Sequence, residues 1–209
     1  MRAILCKEYG PAETLVIEDV TSPVVKGHGV KVRVKAAGLN FPDTLIIEGK
    51  YQLKPTMPFS PGGEMSGEVI EVGEKVTRFK PGDRVAGLTG YGAFAEEVVV
   101  PEQNILPIPE SMSDEKAAAF SMVYGTSYYA LKQRANIQPG ETLLVLGASG
   151  GVGLATVELG KAMGAHVIAA ASTAEKLAVA KEAGADELIN YTEEPLKDAV
   201  KRLTNSKGV

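Results

Sequence analysis

Cysteine, histidine and tryptophan are scarce in this sequence of 209 residues, which has one cysteine, two histidines and no tryptophan. A single cysteine, Cys6, excludes an intrachain disulfide, and we expect it to be a small buried hydrophobe in the first strand. His28 and His166 cannot complete a closed zinc site with one thiolate, because such a site needs four N/S ligands. We interpret both histidines as surface residues and predict no metal site.

Long apolar runs and basic clusters are also missing. No apolar stretch reaches the ~20 residues of a transmembrane helix, and the segment MRAILCKEYG lacks the long apolar core of a secretory signal. The net charge is −4 and the pI about 5.4, with no basic run longer than Lys201-Arg202. Proteins that bind nucleic acids or anionic membranes have clusters of basic residues instead. We therefore expect a cytoplasmic protein that binds neither nucleic acid nor membrane.

The first half of the chain has the pattern of antiparallel strands. In GVKVRVKAAG, Val30, Val32 and Val34 alternate with charged residues, which is typical of a strand that is wet on one face. GEVIEVGEKV and AFAEEVVVP are similar, and the turn signals SPVVKGHG, PGGE and KPGDRVAG punctuate the strands. The composition, 44% hydrophobic and 23% charged, allows one large or two small domains. We predict a small curled barrel that ends near Pro109.

A helix is predicted after this barrel. Ser113 has the position of an N-cap, and Asp114 and Glu115 fall in the first turn, where acidic side chains are favoured. The helical pattern KAAAFSMVYGTSYYAL is interrupted at Gly125. We expect this helix to bridge two parts of the chain.

The second half opens with LLVLGASGGVG, an apolar run that suits a strand buried on both faces, followed by a turn almost without side chains. The helix-like segment LATVELGKAMG follows, and Gly164 ends it. A helix N-terminus carries unpaired N–H groups and about half a positive charge, so a phosphate can bind where glycines let the backbone approach. Such turns also occur as plain connections, and the spacing alone is a weak signal. With the context below, we predict a pyrophosphate site.

Two further strand–helix pairs follow the glycine turn. HVIAAAS precedes TAEKLAVAKEAGA, which Gly184 ends, and ELIN precedes EPLKDAVKRLT. Alternating strands and helices predict a parallel, doubly wound sheet. The fold class is therefore mixed α/β.

These motifs together resemble the medium-chain dehydrogenase/reductases, and within them the zinc-free NADPH:quinone oxidoreductases. The matching segments, in chain order, are AGLNFPDTLIIEGKY, FSPGGEMSGEVIEVG, FKPGDRVAG, GTSYYAL, LVLGASGGVGLA and EKLAVAKEAGADELINY. The resemblance implies a GroES-like barrel (substrate) domain over residues 1–112. Residues 113–209 would hold the bridging helix and the N-terminal half of a Rossmann NADPH-binding domain, with a cofactor cleft between the domains and a homodimer in the full-length protein.

The resemblance also bears on metal binding. Zinc-dependent relatives have a cysteine near the position of Asn40, and a Gly-His-Glu where this chain has Gly62-Gly63-Glu64. Both ligand types are replaced. Without a Lewis acid to stabilise an alkoxide, an electron-poor acceptor such as a quinone or an α,β-unsaturated carbonyl is favoured.

The cofactor is predicted from the residues that follow the second parallel strand. NAD-selective sites place a carboxylate at that strand's end, but here the strand ends in AAAST, with Ser172 and Thr173. Glu175 falls in the first helical turn and can point away. The resemblance implies that Lys176 and Tyr191 contact the 2′-phosphate of NADPH, although Lys176 also fits a solvated helix lysine. The backbone around the pyrophosphate would be that of Gly147, Ala148, Gly150, Gly151, Val152 and Gly153.

Candidates for the substrate side come from the resemblance alone. It implies that Asn40, Asp43 and Tyr51 line the cleft near the nicotinamide and that Thr126 contacts the ring or its amide. Each residue has a simpler interpretation. Asn40 and Asp43 flank Pro42 as helix caps, Tyr51 is a rim aromatic, and Thr126 restarts a helix.

The predicted activity is hydride transfer from NADPH to a quinone or enone. Tyr51, Asn40 or an ordered water would supply a hydrogen bond or proton to the developing oxyanion. Two alternatives stay open, an enoyl-thioester reductase of the same superfamily and a catalytically idle NADPH-binding scaffold.

A final expectation concerns the segment LTNSKGV, where the chain stops. In a doubly wound sheet the next strand would pair with the strand at 143–146, so we expect that strand at an open edge. We accordingly expect a piece of a polypeptide of ~300 residues or more that by itself binds NADPH weakly and lacks turnover.

Overall fold

The computed structural model describes residues 1–209, which form two compact units, residues 1–122 and 123–209. The first unit is built mainly from antiparallel strands and the second from alternating strands and helices. None of the helices is both long and apolar enough to cross a membrane.

The first unit contains a five-stranded antiparallel sheet and a two-stranded one. The strands are β1 (Arg2–Leu5), β2 (Val16–Asp19), β3 (Gly29–Gly38), β4 (Glu64–Val72), β5 (Arg84–Leu88), β6 (Glu97–Pro101) and β7 (Ile105–Pro107). β1 pairs with β2, and the larger sheet has the order β6-β3-β4-β5-β7. Two short helices complete the unit, α1 (Phe41–Ile47) and α2 (Asp114–Ala118).

Strand β3 has the bounds that its alternating valines predict. Val30 and Val32 are fully buried in the main core beside Met65, whereas Arg33 and Lys35 are exposed. The two other predicted strands are shifted. β4 starts before 67 and ends at Val72, and β6 starts only at 97, because residues 93–96 hydrogen-bond to the backbone of other segments instead.

Cys6 is 1% exposed and pairs with Phe59 through an isolated bridge directly after β1. Burial raises the pKa of its thiol. The expectation of a small buried hydrophobe is confirmed.

The buried carboxylate of Glu102 connects three loops of the first unit. Its Oε1 lies 3.0 Å from Nδ1 of His28, and its Oε2 accepts hydrogen bonds from the backbone N–H groups of Thr77 and Arg78, both at 3.1 Å. These hydrogen bonds, led by that with His28, lower the pKa of Glu102. The side chains of His28 and His166 are 60% and 45% exposed, so both histidines lie at the surface as predicted.

The second unit has a three-stranded parallel sheet with helices between its strands, as predicted. Its elements from the glycine turn onward are β8 (Thr142–Leu146), α4 (Gly151–Ala162), β9 (His166–Ala171), α5 (Ala174–Glu182), β10 (Glu187–Asn190) and α6 (Leu196–Leu203). The order β10-β9-β8 places β8 at an edge. The burial on both faces that we predicted for β8 belongs instead to the central strand β9, since Leu146 is 60% exposed whereas Val167 through Ala170 are 0% exposed.

The predicted bridging helix is broken into α2 and a second helix, which the π-helix Tyr129–Arg134 continues. Ser113 caps α2 by accepting a hydrogen bond from the Lys116 N–H at 3.4 Å, as predicted. The break, however, falls at 119–120, between α2 and α3 (Ser121–Tyr128), and the break predicted at Gly125 is wrong. The carboxylate of Glu64 accepts a hydrogen bond from the Met122 N–H at 2.7 Å. This bond satisfies one of the N–H groups that have no partner within the first turn of the second helix.

Candidate functional site

The turn between β8 and α4 uses its glycines for different physical reasons. Gly147 has φ +61°, a left-handed conformation that strains other residues. Gly150 is the N-cap of α4 and has an ordinary φ of −79°. A Cβ on Gly153 would lie 2.3 Å from the Gly147 carbonyl oxygen, so only glycine lets the helix pack this closely on the turn. Each of these positions leaves backbone, rather than side chain, at the start of α4.

The N-terminus of α4 is free of competing groups. No side chain caps it, and its first turn contains no acidic residue. A Cβ on Gly150 would meet only the Gly147 carbonyl oxygen, at 3.5 Å. Ala148 is fully buried and its N–H donates to the Ala170 carbonyl oxygen at 3.2 Å. Unpaired N–H groups with open space before them are the features of an anion site.

Two hydroxyl groups that the sequence analysis did not single out support this first turn. Ser127 Oγ, which is buried, donates to the Val152 carbonyl oxygen at 3.0 Å. Thr156 Oγ1 lies 2.7 Å from the same carbonyl oxygen and 3.0 Å from Ser127 Oγ. Val152 itself is 44% exposed. The two hydroxyls hold the backbone of the turn through the Val152 carbonyl oxygen. They leave the N–H groups at the start of α4 free for an anionic ligand.

The turn after β9 presents a cation without a carboxylate. Lys176 Nζ donates to Ser172 Oγ at 3.1 Å and makes no ion pair. Thr173 is the N-cap of α5 and accepts a hydrogen bond from the Lys176 N–H at 3.3 Å. Hydrogen bonds from its own backbone N–H and from Thr173 lower the pKa of Glu175, which is therefore engaged at the helix start. An exposed ammonium group and hydroxyls at a strand end suit a phosphate group.

The turn after β10 lies beside it. Tyr191 is 44% exposed, its N–H donates to the Ala171 carbonyl oxygen at 3.2 Å, and its hydroxyl has no protein partner. Thr192 Oγ1 lies 3.1 Å from the Ser172 carbonyl oxygen, a contact that the sequence analysis missed. Because β9 and β10 are parallel neighbours, their carboxyl ends bring Ser172, Lys176 and Tyr191 to one edge of the sheet.

In the first unit, Asn40 and Asp43 are joined at the start of α1. The Asn40 N–H donates to Asp43 Oδ2 at 2.8 Å, and the Gly63 N–H donates to Asp43 Oδ1 at 3.0 Å. Asn40 Nδ2 donates to Glu64 Oε2 at 3.1 Å. The interpretation of Asn40 and Asp43 as helix-cap residues therefore fits these contacts, while their part in catalysis stays a prediction.

The two carboxyl groups of this cluster are deeply buried. Asp43 is 5% exposed and Glu64 1% exposed. Burial raises the pKa of both groups, against the opposing effect of the N–H groups that bond to them. Asp43 and Glu64 thus hold backbone and the Asn40 amide in place. Of the three residues, Asn40 is the one that is half-buried rather than buried.

Tyr51 and Thr126 are placed separately. Tyr51 is half-buried against the apolar cluster of Cys6, Ile47 and Phe59, and its hydroxyl has no protein partner. Thr126 is exposed on α3, and its hydroxyl has no protein partner outside the helix. Both hydroxyls are free for a ligand, and their functional roles stay predictions.

No group of three or more His, Cys, Asp or Glu side chains in the structure could hold a metal ion. Gly63 stands within the Asn40–Asp43–Glu64 cluster and brings only its backbone N–H to it. The absence of zinc from the working protein stays a prediction.

Comparisons with known proteins match both units. Residues 26–110 match the family model described as alcohol dehydrogenase GroES-like domain, and residues 151–209 match that described as zinc-binding dehydrogenase. A quinone oxidoreductase-like protein 2 homolog of Nematostella vectensis is 49% identical over 99% of this chain and 57% of its own length. The chain thus spans about three fifths of the length of the curated relatives it matches.

Several solved structures are similar to this chain over its whole length. The Escherichia coli quinone oxidoreductase complexed with NADPH is 35% identical with a TM-score of 0.94, covering 99% of this chain and 63% of that one. A structure described as an NAD-dependent alcohol dehydrogenase is 34% identical with a TM-score of 0.94, covering 100% of this chain and 69% of that one.

An antiparallel GroES-like unit followed by a parallel unit with a glycine-rich turn defines a dehydrogenase fold. The chain belongs to the medium-chain dehydrogenase/reductase superfamily, in its quinone oxidoreductase family. The predicted fold class, a mixed α/β chain with a GroES-like part and the first strands of a Rossmann sheet, is confirmed.

Proposed function

We propose that the protein containing this chain is an NADPH-dependent oxidoreductase that transfers a hydride to a quinone or another α,β-unsaturated carbonyl without using zinc. The observation that carries the proposal is the ammonium group of Lys176, held by Ser172 at the carboxyl end of β9 with no carboxylate paired to it. The NADPH complex of the similar Escherichia coli enzyme supports the same cofactor. The substrate would be a small molecule, and we expect the full-length protein to be a homodimer.

The residues of the second unit fit the cofactor's phosphates. The uncapped start of α4, at Gly151, Val152 and Gly153, would hold the pyrophosphate on backbone N–H groups. Ser172, Lys176 and the free hydroxyl of Tyr191 would hold the 2′-phosphate. A carboxylate at the end of β9 would repel that phosphate, and this strand end has none.

The cofactor, when bound, supplies the hydride, and the protein's own groups stabilise the charge that develops on the substrate oxygen. Asn40 is held through its backbone N–H by Asp43 and through its side chain by Glu64, so its amide has a fixed orientation. Tyr51 has a hydroxyl without a protein partner, which can donate a hydrogen bond or a proton to an oxyanion. Removing either group should lower kcat more than it weakens cofactor binding.

Steady-state oxidation of NADPH by the full-length protein tests the proposal. The panel is 1,4-benzoquinone, crotonyl-CoA and a saturated ketone, each with NADPH and with NADH. Turnover with the quinone and NADPH, lowered in Tyr51→Phe and in Asn40→Ala, supports the proposal. Turnover confined to crotonyl-CoA would instead identify an enoyl-thioester reductase, and tight NADPH binding without turnover of any acceptor would identify an idle binding protein.

A further inference from the structure

The turns after β9 and β10 are tied to each other by one side chain. Thr192 Oγ1 lies 3.1 Å from the Ser172 carbonyl oxygen, although the two residues are 20 positions apart. Beyond the last backbone bond of the two strands, from the Tyr191 N–H to the Ala171 carbonyl oxygen, this is the contact that joins the turns. We call this contact between Thr192 and Ser172 the tie. Ser172 is also the residue whose hydroxyl accepts a hydrogen bond from the ammonium group of Lys176.

The hydroxyl of Thr192 is itself held in position. Asn190 Oδ1 accepts a hydrogen bond from the Thr192 N–H at 3.1 Å, and the single proton of the Thr192 hydroxyl is shared between Asn190 Oδ1, at 2.7 Å, and the Ser172 carbonyl oxygen. Asn190 Nδ2 donates to Glu193 Oε1 at 2.6 Å, and the Glu193 N–H returns to the Asn190 carbonyl oxygen at 3.1 Å. Hydrogen bonds within residues 190–193 therefore fix the turn after β10, and with it the position of the Thr192 hydroxyl next to Ser172.

From these contacts we propose that Thr192 is a positioning residue that determines preference for a 2′-phosphorylated nucleotide. The proposal rests on the proposed function, because it concerns the same cofactor. A 2′-phosphate needs donors from both turns at once, the ammonium group of Lys176 from one and the Tyr191 hydroxyl from the other. If the two turns move independently, a ligand group that contacts both must order them, which costs free energy of binding. The tie between the turns removes part of that cost.

The tie matters only to a ligand that touches both turns. A nucleotide without the 2′-phosphate needs no simultaneous contact with Lys176 and Tyr191, so loss of the tie leaves its affinity unchanged. Thr192 is exposed and lies outside the buried apolar clusters of the second unit, so its replacement leaves the core intact. The predicted signature is therefore a change in selectivity.

The experiment measures binding of 2′,5′-ADP and of 5′-AMP, which differ only by the 2′-phosphate, to the full-length protein by calorimetry. Thr192→Val keeps the shape and removes the hydroxyl. We expect it to weaken 2′,5′-ADP by about 3- to 10-fold, the cost of ordering about one side chain on binding, and to change 5′-AMP by less than about twofold. Thr192→Ser should restore the wild-type ratio. The matched control is Thr14→Val, which removes an exposed hydroxyl that donates to the Pro11 carbonyl oxygen at 2.8 Å in the first unit.

The outcomes separate this inference from the proposed function. A wild-type protein that binds both ligands equally would overturn the NADPH assignment and, with it, the role of Thr192. A wild-type preference that survives Thr192→Val would overturn only the role of Thr192. Equal weakening of both ligands in Thr192→Val would also overturn it, since that result indicates a general loss of structure.

Discussion

Replacing Gly153 with alanine should destabilise the second unit because its methyl group has no room. A Cβ there would lie 2.3 Å from the Gly147 carbonyl oxygen and 2.9 Å from Ala148 Cα. Both neighbours are backbone atoms, so α4 or the turn must move by ~1 Å. Overpacking of this kind costs about 1–3 kcal/mol, and contacts this short with backbone atoms belong at the upper end of that range. Alanine's better helix propensity offsets about 1 kcal/mol of the cost. We expect Gly153→Ala to lower the free energy of unfolding by about 1–2 kcal/mol.

Gly150→Ala is the matched control, because it adds the same atoms three residues earlier in the same turn. Gly150 has φ −79°, and a Cβ would meet the Gly147 carbonyl oxygen at an ordinary 3.5 Å. Its cost to stability should therefore stay below about 1 kcal/mol, the scale of an N-cap exchange. Its methyl group would, however, enter the open space before the start of α4, so NADPH should bind about tenfold or more weakly.

The assay is urea denaturation followed by far-ultraviolet circular dichroism, since the chain has no tryptophan for fluorescence. NADPH binding is measured separately by calorimetry on each folded variant. Gly153→Ala should lose stability more than Gly150→Ala does. A Gly153→Ala protein as stable as the wild type, or a Gly150→Ala protein that is the less stable of the two, would refute the packing argument.

Three further predictions follow from single groups. Lys176→Ala should weaken NADPH binding by about 10- to 150-fold, because one charge-assisted hydrogen bond is lost, while the affinity for NADH changes by less than about twofold. Titration of both cofactors into both proteins measures this. Equal affinities of the wild type for NADPH and NADH would contradict it. Burial raises the pKa of Glu64, so the folded state binds its proton more tightly than the unfolded state does, and stability from this group is present below its unfolded pKa and is lost as pH rises through the folded pKa. The free energy of unfolding, measured by denaturation as pH rises from the ordinary glutamate pKa, should therefore decline less steeply for Glu64→Gln than for the wild type, and parallel curves would exclude the assignment. Activity should survive a strong chelator, and stoichiometric zinc by elemental analysis after dialysis would contradict a metal-free site.

Local patterns predicted the regular elements well because their causes are local. The valine alternation of β3 needs only its own residues, and the positive φ angles of Gly164 and Gly184, +84° and +106°, end α4 and α5 where those glycines stand. The break between α2 and α3 was missed because the carboxylate at the start of α3 comes from Glu64, 58 residues away from Met122. The apolar residues of β8 indicate a strand, whereas its place at an edge follows from the strand order of a doubly wound sheet and not from the residues themselves.

The candidate site divides in the same way. Its glycine turn and the missing carboxylate after β9 are contiguous features, so the sequence predicts them directly. Ser127 and Thr192 act through backbone carbonyls 25 and 20 residues away, and any hydroxyl in the chain could have done so. The pairing of Asn40 with Glu64 depends on the register of α1 against β4, which no local pattern indicates.

The carboxylate of Glu102 has a consequence for how the first unit opens. One side chain satisfies two backbone N–H groups, at Thr77 and Arg78, and contacts the ring of His28, while Arg78 Nη1 donates back to the Glu102 carbonyl oxygen at 3.1 Å. If one of these three loops unfolds locally, the buried carboxylate of Glu102 loses hydrogen-bond partners, which costs free energy. They therefore form a single cooperative opening unit, in which amide protons far apart in sequence become accessible to solvent together.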